Sequence, residues 1–127
     1  MASGIEPPFL FRQEGLSIHA AVRAGLPAGI SCKTTLLGLI AKQLSFPDYF
    51  SENWDALEEC LRDLSWLPAG PVVLEHVDLP LVRDIANARI YIVILADVAR
   101  DISRSGRPLH VVFPPAFREQ ILRLLRQ

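Results

Sequence analysis

Short β-branched runs separated by stretches of helical period constrain this chain more than any other feature. Val72-Val-Leu-Glu75 and Leu109-His-Val-Val-Phe113 are brief apolar runs bounded by Pro71 and by Gly106 and Pro108, the pattern of strands entered through turns. Ser17 to Arg23 alternates Ile18, Ala20 and Val22 with His19 and Arg23 before the turn residues Gly25, Pro27 and Gly29, which predicts a further strand. Between them, Leu36, Leu37, Ile40, Ala41 and Leu44 follow a 3.6-residue period, with Ser31 or Thr34 as the expected cap and Pro47 as the stop. Asn53 is a good cap for a second helix running to about Leu64.

The run Ile90-Tyr-Ile-Val-Ile-Leu95 has β-branched content suited to a strand. The four-residue recurrence of Ile90, Ile94, Val98 and Ile102 assigns it to a helix. Phe117, Ile121, Leu124 and Leu125 then mark one face of a C-terminal amphipathic helix after Pro114-Pro115. Strand, two helices, strand, helix, strand is an α/β order. Helical crossovers make the strands parallel, so the expectation is a small three-stranded parallel sheet packed with helices, with an extra C-terminal helix. Residues 1–16 are expected to be an irregular N-terminal extension, although Phe9-Leu-Phe11 has the composition of a short edge strand. Residues 114–127 form a C-terminal helical extension, and 127 residues suit one domain.

Net charge is −1, which offers no overall attraction to phosphate and argues against direct nucleic-acid binding. The opening residues carry no basic segment before an apolar core, and Ile90 to Ala96 is too short to span a bilayer. A soluble, cytoplasmic protein without membrane contact is expected. Cys32 and Cys60 form no CxxC pair and His19, His76 and His110 are scattered, so reduced buried thiols, packed histidines and no metal are expected. Gly25 to Thr35 has Pro27 and Cys32 where a phosphate-binding loop ending at Lys33 would need glycines. No cofactor is implied.

The near-neutrality is a cancellation. Residues 46–64 carry a net −5, whereas residues 97–127 carry +3. Screening confines such a segment to local effects within about 8 Å, so it marks a site facing a cationic partner. At about 100° per residue, Glu52, Asp55, Glu59 and Asp63 fall within roughly 80° of one another, opposite Trp54, Leu57, Leu61 and Leu64. Like charges at this spacing cost about 0.2–0.5 kcal/mol per pair. The row reads either as a solvated helix face or as carboxylates meeting a partner's basic groups. Acid–base catalysis would need two carboxylates pushed to different pKa values in a cleft, and an exposed helix face does not supply that. Arg100, Arg104, Arg107, Arg118, Arg123 and Arg126 read as a solvated surface, or as counter-charges to a second copy's acidic helix in a weak dimer.

The segment Phe46-Pro-Asp-Tyr-Phe-Ser-Glu-Asn-Trp-Asp-Ala-Leu-Glu-Glu-Cys-Leu61 resembles the barstar family, intracellular ribonuclease inhibitors of bacteria with a Pro-x-Tyr-Tyr/Phe-Gly-x-Asn-x-Asp-Ala-Leu-x-Asp-Cys-Leu pattern. The resemblance extends through Pro71 to Glu75 and Arg100 to Gly106 and ends at Phe113. It implies inhibition by plugging: the second helix and the preceding loop enter a ribonuclease site, where carboxylates replace RNA phosphates. Asp55 would pair with the enzyme's Arg and Lys, and Tyr49 would pack on its catalytic His. Glu59 stands where the family has a key Asp, and Asp101 where a Glu supports it from a later helix. Asn53 would shape the loop, Glu58 stands at an adjacent contact position, and Asp63 extends the row. Ser51 replaces the family's Gly, so a positive φ there would bring strain.

The resemblance thus implies a non-enzymatic inhibitor or immunity protein of a toxin–antitoxin kind, monomeric or weakly dimeric, whose partner is a basic ribonuclease or nuclease toxin domain. The alternative is a module of the same fold for a non-ribonuclease toxin or a regulatory protein.

Overall fold

A computed structural model describes residues 7–12 and 19–126. In chain order the elements are β1 (Phe9–Phe11), β2 (Val22–Leu26), α1 (Lys33–Gln43), α2 (Trp54–Asp63), β3 (Val72–His76), α3 (Ile85–Asp101), β4 (Leu109–Phe113), a 3-10 turn (Pro115–Phe117) and α4 (Arg118–Leu125). Among the described residues the sheet has four strands rather than three, in the order β1-β4-β3-β2, and their pairings are parallel.

The fourth strand bears out the edge-strand composition of Phe9 to Phe11 and corrects the reading of that part of the N-terminal extension as irregular; residues 1–6 and 13–16 lie outside the described residues. Phe9, Leu10 and Phe11 pair with Val111, Val112 and Phe113, and Phe9 packs on Phe113 at 5.4 Å between ring centroids. The local segment is short, and only the unpaired edge of β4 recruits it. The expected strand at 17–23 also shifts: β2 occupies Val22–Leu26, with Gly25 inside it, while residues 17 and 18 lie outside the described residues. Pairing of Val22 to Leu26 with Val72 to His76 overrides the turn signal of Gly25. Gln43, at the end of α1, accepts from Gly25 N at 2.7 Å and donates to Gly25 O at 2.6 Å. It thereby closes part of the outer edge of β2.

One sheet face carries the main core. Ala24, Leu26, Val72, Leu74, Leu109, Val111, Phe113 and Phe9 cluster with residues of all four helices, including Leu36, Leu57, Leu61, Leu95 and Ile121. α3 is helical throughout, but its buried face runs through Ala88, Tyr91, Ile92, Leu95, Ala96, Val98 and Ala99. Ile90, in the expected apolar row, is 38% exposed. The α1 cap is Cys32, with no side-chain capping bond, rather than Ser31 or Thr34. Cys32 is exposed, which corrects the expectation of a buried thiol, whereas Cys60 is buried. The Cys32 Sγ lies 3.0 Å from Thr35 Oγ1, and that hydrogen bond lowers its pKa.

His76 and Tyr91 are the buried polar pair of this core. The Val112 carbonyl, 2.9 Å from His76 Nδ1, can only accept, so Nδ1 carries the proton. The other ring nitrogen then accepts from the Tyr91 hydroxyl at 2.7 Å. Burial pushes His76 down to about 4 from its ordinary 6.5, the Val112 bond opposing this in part. An unfolded chain binds a proton at this ring below about pH 6.5 and the folded one does not, so stability is full above that pH and falls as pH drops towards 4. The loss is roughly 3 kcal/mol at about 1.4 kcal/mol per unit. Urea denaturation between pH 7 and pH 4.5 should show a steeper loss for the wild type than for His76→Gln, which starts lower but lacks the titrating ring. Parallel pH profiles would show that His76 is not held neutral.

Candidate functional site

The loop before α2 is built from aromatic contacts and backbone turns. Phe46 meets Phe50 at 5.0 Å and Trp66 at 5.9 Å, both edge to face. Trp66 Nε1 donates to Leu44 O at 2.9 Å, so this ring supports the loop from behind. Phe50 N donates to Pro47 O at 3.0 Å and Asn53 N to Ser51 O at 2.6 Å. Ser51 is not among the positive-φ residues, so replacing the family's Gly brings no left-handed strain.

Asn53 sits in extended conformation, and its Oδ1 accepts from Ala56 N at 2.8 Å. That bond satisfies one of the amides a helix start leaves unpaired. Trp54, the first helical residue, donates from Nε1 to Asn87 Oδ1 at 3.0 Å. Asn87 in turn donates through Nδ2 to Asp84, the α3 cap, at 2.8 Å. The indole also lies 6.2 Å from the Tyr91 ring. The start of α2 is thus tied to the start of α3 and to the buried Tyr91.

A cavity of about 580 Å³ opens at this junction, lined by Tyr49, Ser51, Asn53, Asp55, Glu59 and Lys33 among others. Tyr49 is 66% exposed. Partial desolvation, then the charges of Cys60, Asp63 and Glu59, raise its hydroxyl pKa. Burial first, followed by Glu59 and Asp63, raises the Cys60 thiol, which keeps it protonated and a poor nucleophile. Asp55, Glu59 and Asp63 are exposed, and none forms an ion pair among the described residues.

The site residues named from the sequence divide into two groups. Tyr49, Asn53, Asp55 and Glu59 line the cavity, with Asp63 one turn beyond Glu59 on α2. Glu58 and Asp101 do not join them. Both bind Arg62, at 2.9 Å and 2.8 Å, so Asp101 contacts Arg62 where support of Glu59 was expected. Glu52 precedes the Asn53 cap, and its carboxylate approaches Gly38 of α1 instead. Two cations escaped the sequence reading. Arg62 was four residues from Glu58, a spacing that signals a helical pair; Lys33 carried no local signal, because only tertiary packing brings α1 to this cavity. Among the described residues, no three His, Cys, Asp or Glu side chains are grouped to hold a metal ion. No helix there is long and apolar enough to cross a membrane.

If the Asn53 cap holds the loop–helix junction, Asn53→Ala should lower unfolding free energy by about 1 kcal/mol, while Asn53→Asp retains most of it. Urea titration measures both; an unchanged midpoint for the alanine variant would show that the cap contributes nothing.

No curated protein matches the chain. The family model described as Barstar (barnase inhibitor) matches residues 27–114, a span that begins after β2 and covers α1, α2, β3, α3 and β4. It contains every residue of the cavity. With more than half of its length matched, and with the α2 helix, its asparagine cap and the preceding aromatic loop inside that span, this chain belongs to the Barstar (barnase inhibitor) family.

Proposed function

We propose that this chain acts as a single-domain, cytoplasmic, stoichiometric inhibitor or immunity protein of a basic ribonuclease or nuclease toxin domain, without catalysis of its own. The observation that carries the reading is that Asp55 and Glu59 stand exposed in the cavity, on a capped helix, with no ion pair among the described residues. Aligned carboxylates suit the arginine and lysine side chains that bind RNA phosphates, and Arg–carboxylate pairing can be bidentate. A helix already holding them loses little entropy on docking. Tyr49, exposed beside them, offers an aromatic surface for the rim or centre of such a contact. Asn53 shapes the entry loop and Asp63 extends the negative surface. Glu58 and Asp101 act at the edge of the footprint through Arg62.

The test is titration of the purified chain into barnase and a panel of other basic ribonucleases while RNA cleavage is followed. Inhibition should saturate at equimolar chain and weaken as salt rises. Asp55→Ala and Glu59→Ala should each weaken binding by about 2 kcal/mol or more. Thermal stability should stay level or rise slightly for Glu59→Ala, because a like charge has been removed from one helix face, and stay within about 1 kcal/mol for Asp55→Ala, which also removes an acid from the first turn of α2. Tight binding by both variants would show that this row is not the contact. Saturable binding to a protein without nuclease activity would select the non-ribonuclease alternative.

A second measurement concerns the edge. Arg62 is shared by Glu58 and Asp101 in a partly exposed cluster. Arg62→Gln should release two carboxylates into the field facing the partner and raise the association rate, while stability changes by no more than about 1 kcal/mol. An unchanged or slower rate would place this cluster outside the partner's approach.

A further inference from the structure

Lys33 has an aromatic contact but no anionic partner among the described residues. It is the first residue of α1, at the helix end that carries partial positive charge, where a cation is disfavoured. The first turn has no acidic residue to offset this. Lys33 makes no ion pair among the described residues. Its Nζ instead lies 5.6 Å over the Trp54 ring, and the side chain lines the same cavity as Asp55 and Glu59. The cavity therefore presents both signs of charge, and these have not neutralised one another. An occupant bearing only cations would satisfy the carboxylates and bring like charge against Lys33.

We propose that Lys33 is a specificity-determining residue of this cavity, pairing with a carboxylate that the partner presents between its cations. This rests on the ribonuclease reading above and narrows it. RNA cleavage through the 2′-hydroxyl needs a general base beside the groups that bind phosphate. Where that base is a carboxylate, the enzyme's site is a carboxylate flanked by cations, the charge complement of Lys33 beside Asp55 and Glu59. A histidine base offers Lys33 no anion.

The test uses two fluorescent peptides, Arg-Gly-Glu-Gly-Arg and its neutral counterpart Arg-Gly-Gln-Gly-Arg, with binding followed by anisotropy at low ionic strength. Lys33→Met keeps an unbranched stem over Trp54 and deletes the charge; removal of a cation from a helix N-terminus should leave stability level or slightly higher. The wild type should prefer the glutamate peptide, and Lys33→Met should shift that preference by about twofold to fivefold towards the glutamine peptide. An Asp55→Asn, Glu59→Gln double variant should weaken both peptides. If Lys33→Met changes both affinities by the same factor, Lys33 only repels cations and the proposal is wrong while the acidic row stands. If neither peptide binds the wild type, the cavity does not receive this charge pattern and the proposal is wrong, while the function it rests on is judged separately by the ribonuclease titration.

Discussion

The hydrogen bond from the buried Tyr91 hydroxyl to His76, at 2.7 Å, is the interaction on which the placement of the site depends. Both groups are buried, so each must be satisfied within the protein. The Val112 carbonyl fixes the imidazole proton, and the ring stacks on Phe113 at 3.9 Å. β3, β4 and α3 are thereby locked in one arrangement. The other side of Tyr91 meets Trp54, whose indole is bonded to Asn87. A chain of ring contacts and hydrogen bonds thus runs from the sheet to the first residue of α2, and the carboxylates on that helix inherit its rigidity.

That rigid frame sorts chemically similar carboxylates into two classes. Glu58 and Asp101 find Arg62 within the molecule, while Asp55 and Glu59 remain exposed in the cavity. Mutual repulsion along the unpaired row opposes helix stability, and the Asn53 cap and the apolar face of α2 offset it. Leu57 and Leu61 on that face are fully buried. In the function proposed above, the contact would come from charge left uncompensated, held in place by packing that the charge itself does not provide.

Most elements were legible because their signals are local. The Asn53 cap, the apolar period of α2 and α4, and the prolines bounding β3 and β4 all act within a few residues. The preference of Ile90 to Leu95 for a helix was also legible, through its continuation into Asp101, although the buried face proved to turn about Tyr91. The composition of Phe9 to Phe11 suited a short edge strand, but its place beside β4 was not legible, since three residues are fixed as a strand only by pairing with the far end of the chain. Cys32 was read as buried because thiols usually are; it is exposed because it caps α1 outside the core.

The sequence by itself determined the parallel α/β order, the acidic face of the second helix and the family, since each rests on period, spacing or a contiguous motif. Tertiary structure decided that Asp101 pairs with Arg62, because that contact depends on where α3 ends against α2, whereas the Glu58–Arg62 pair is local to one helix. It also decided that Lys33 and the acidic row share one cavity. Charges on separate elements meet only through packing, and packing is set by the core, in which neither takes part.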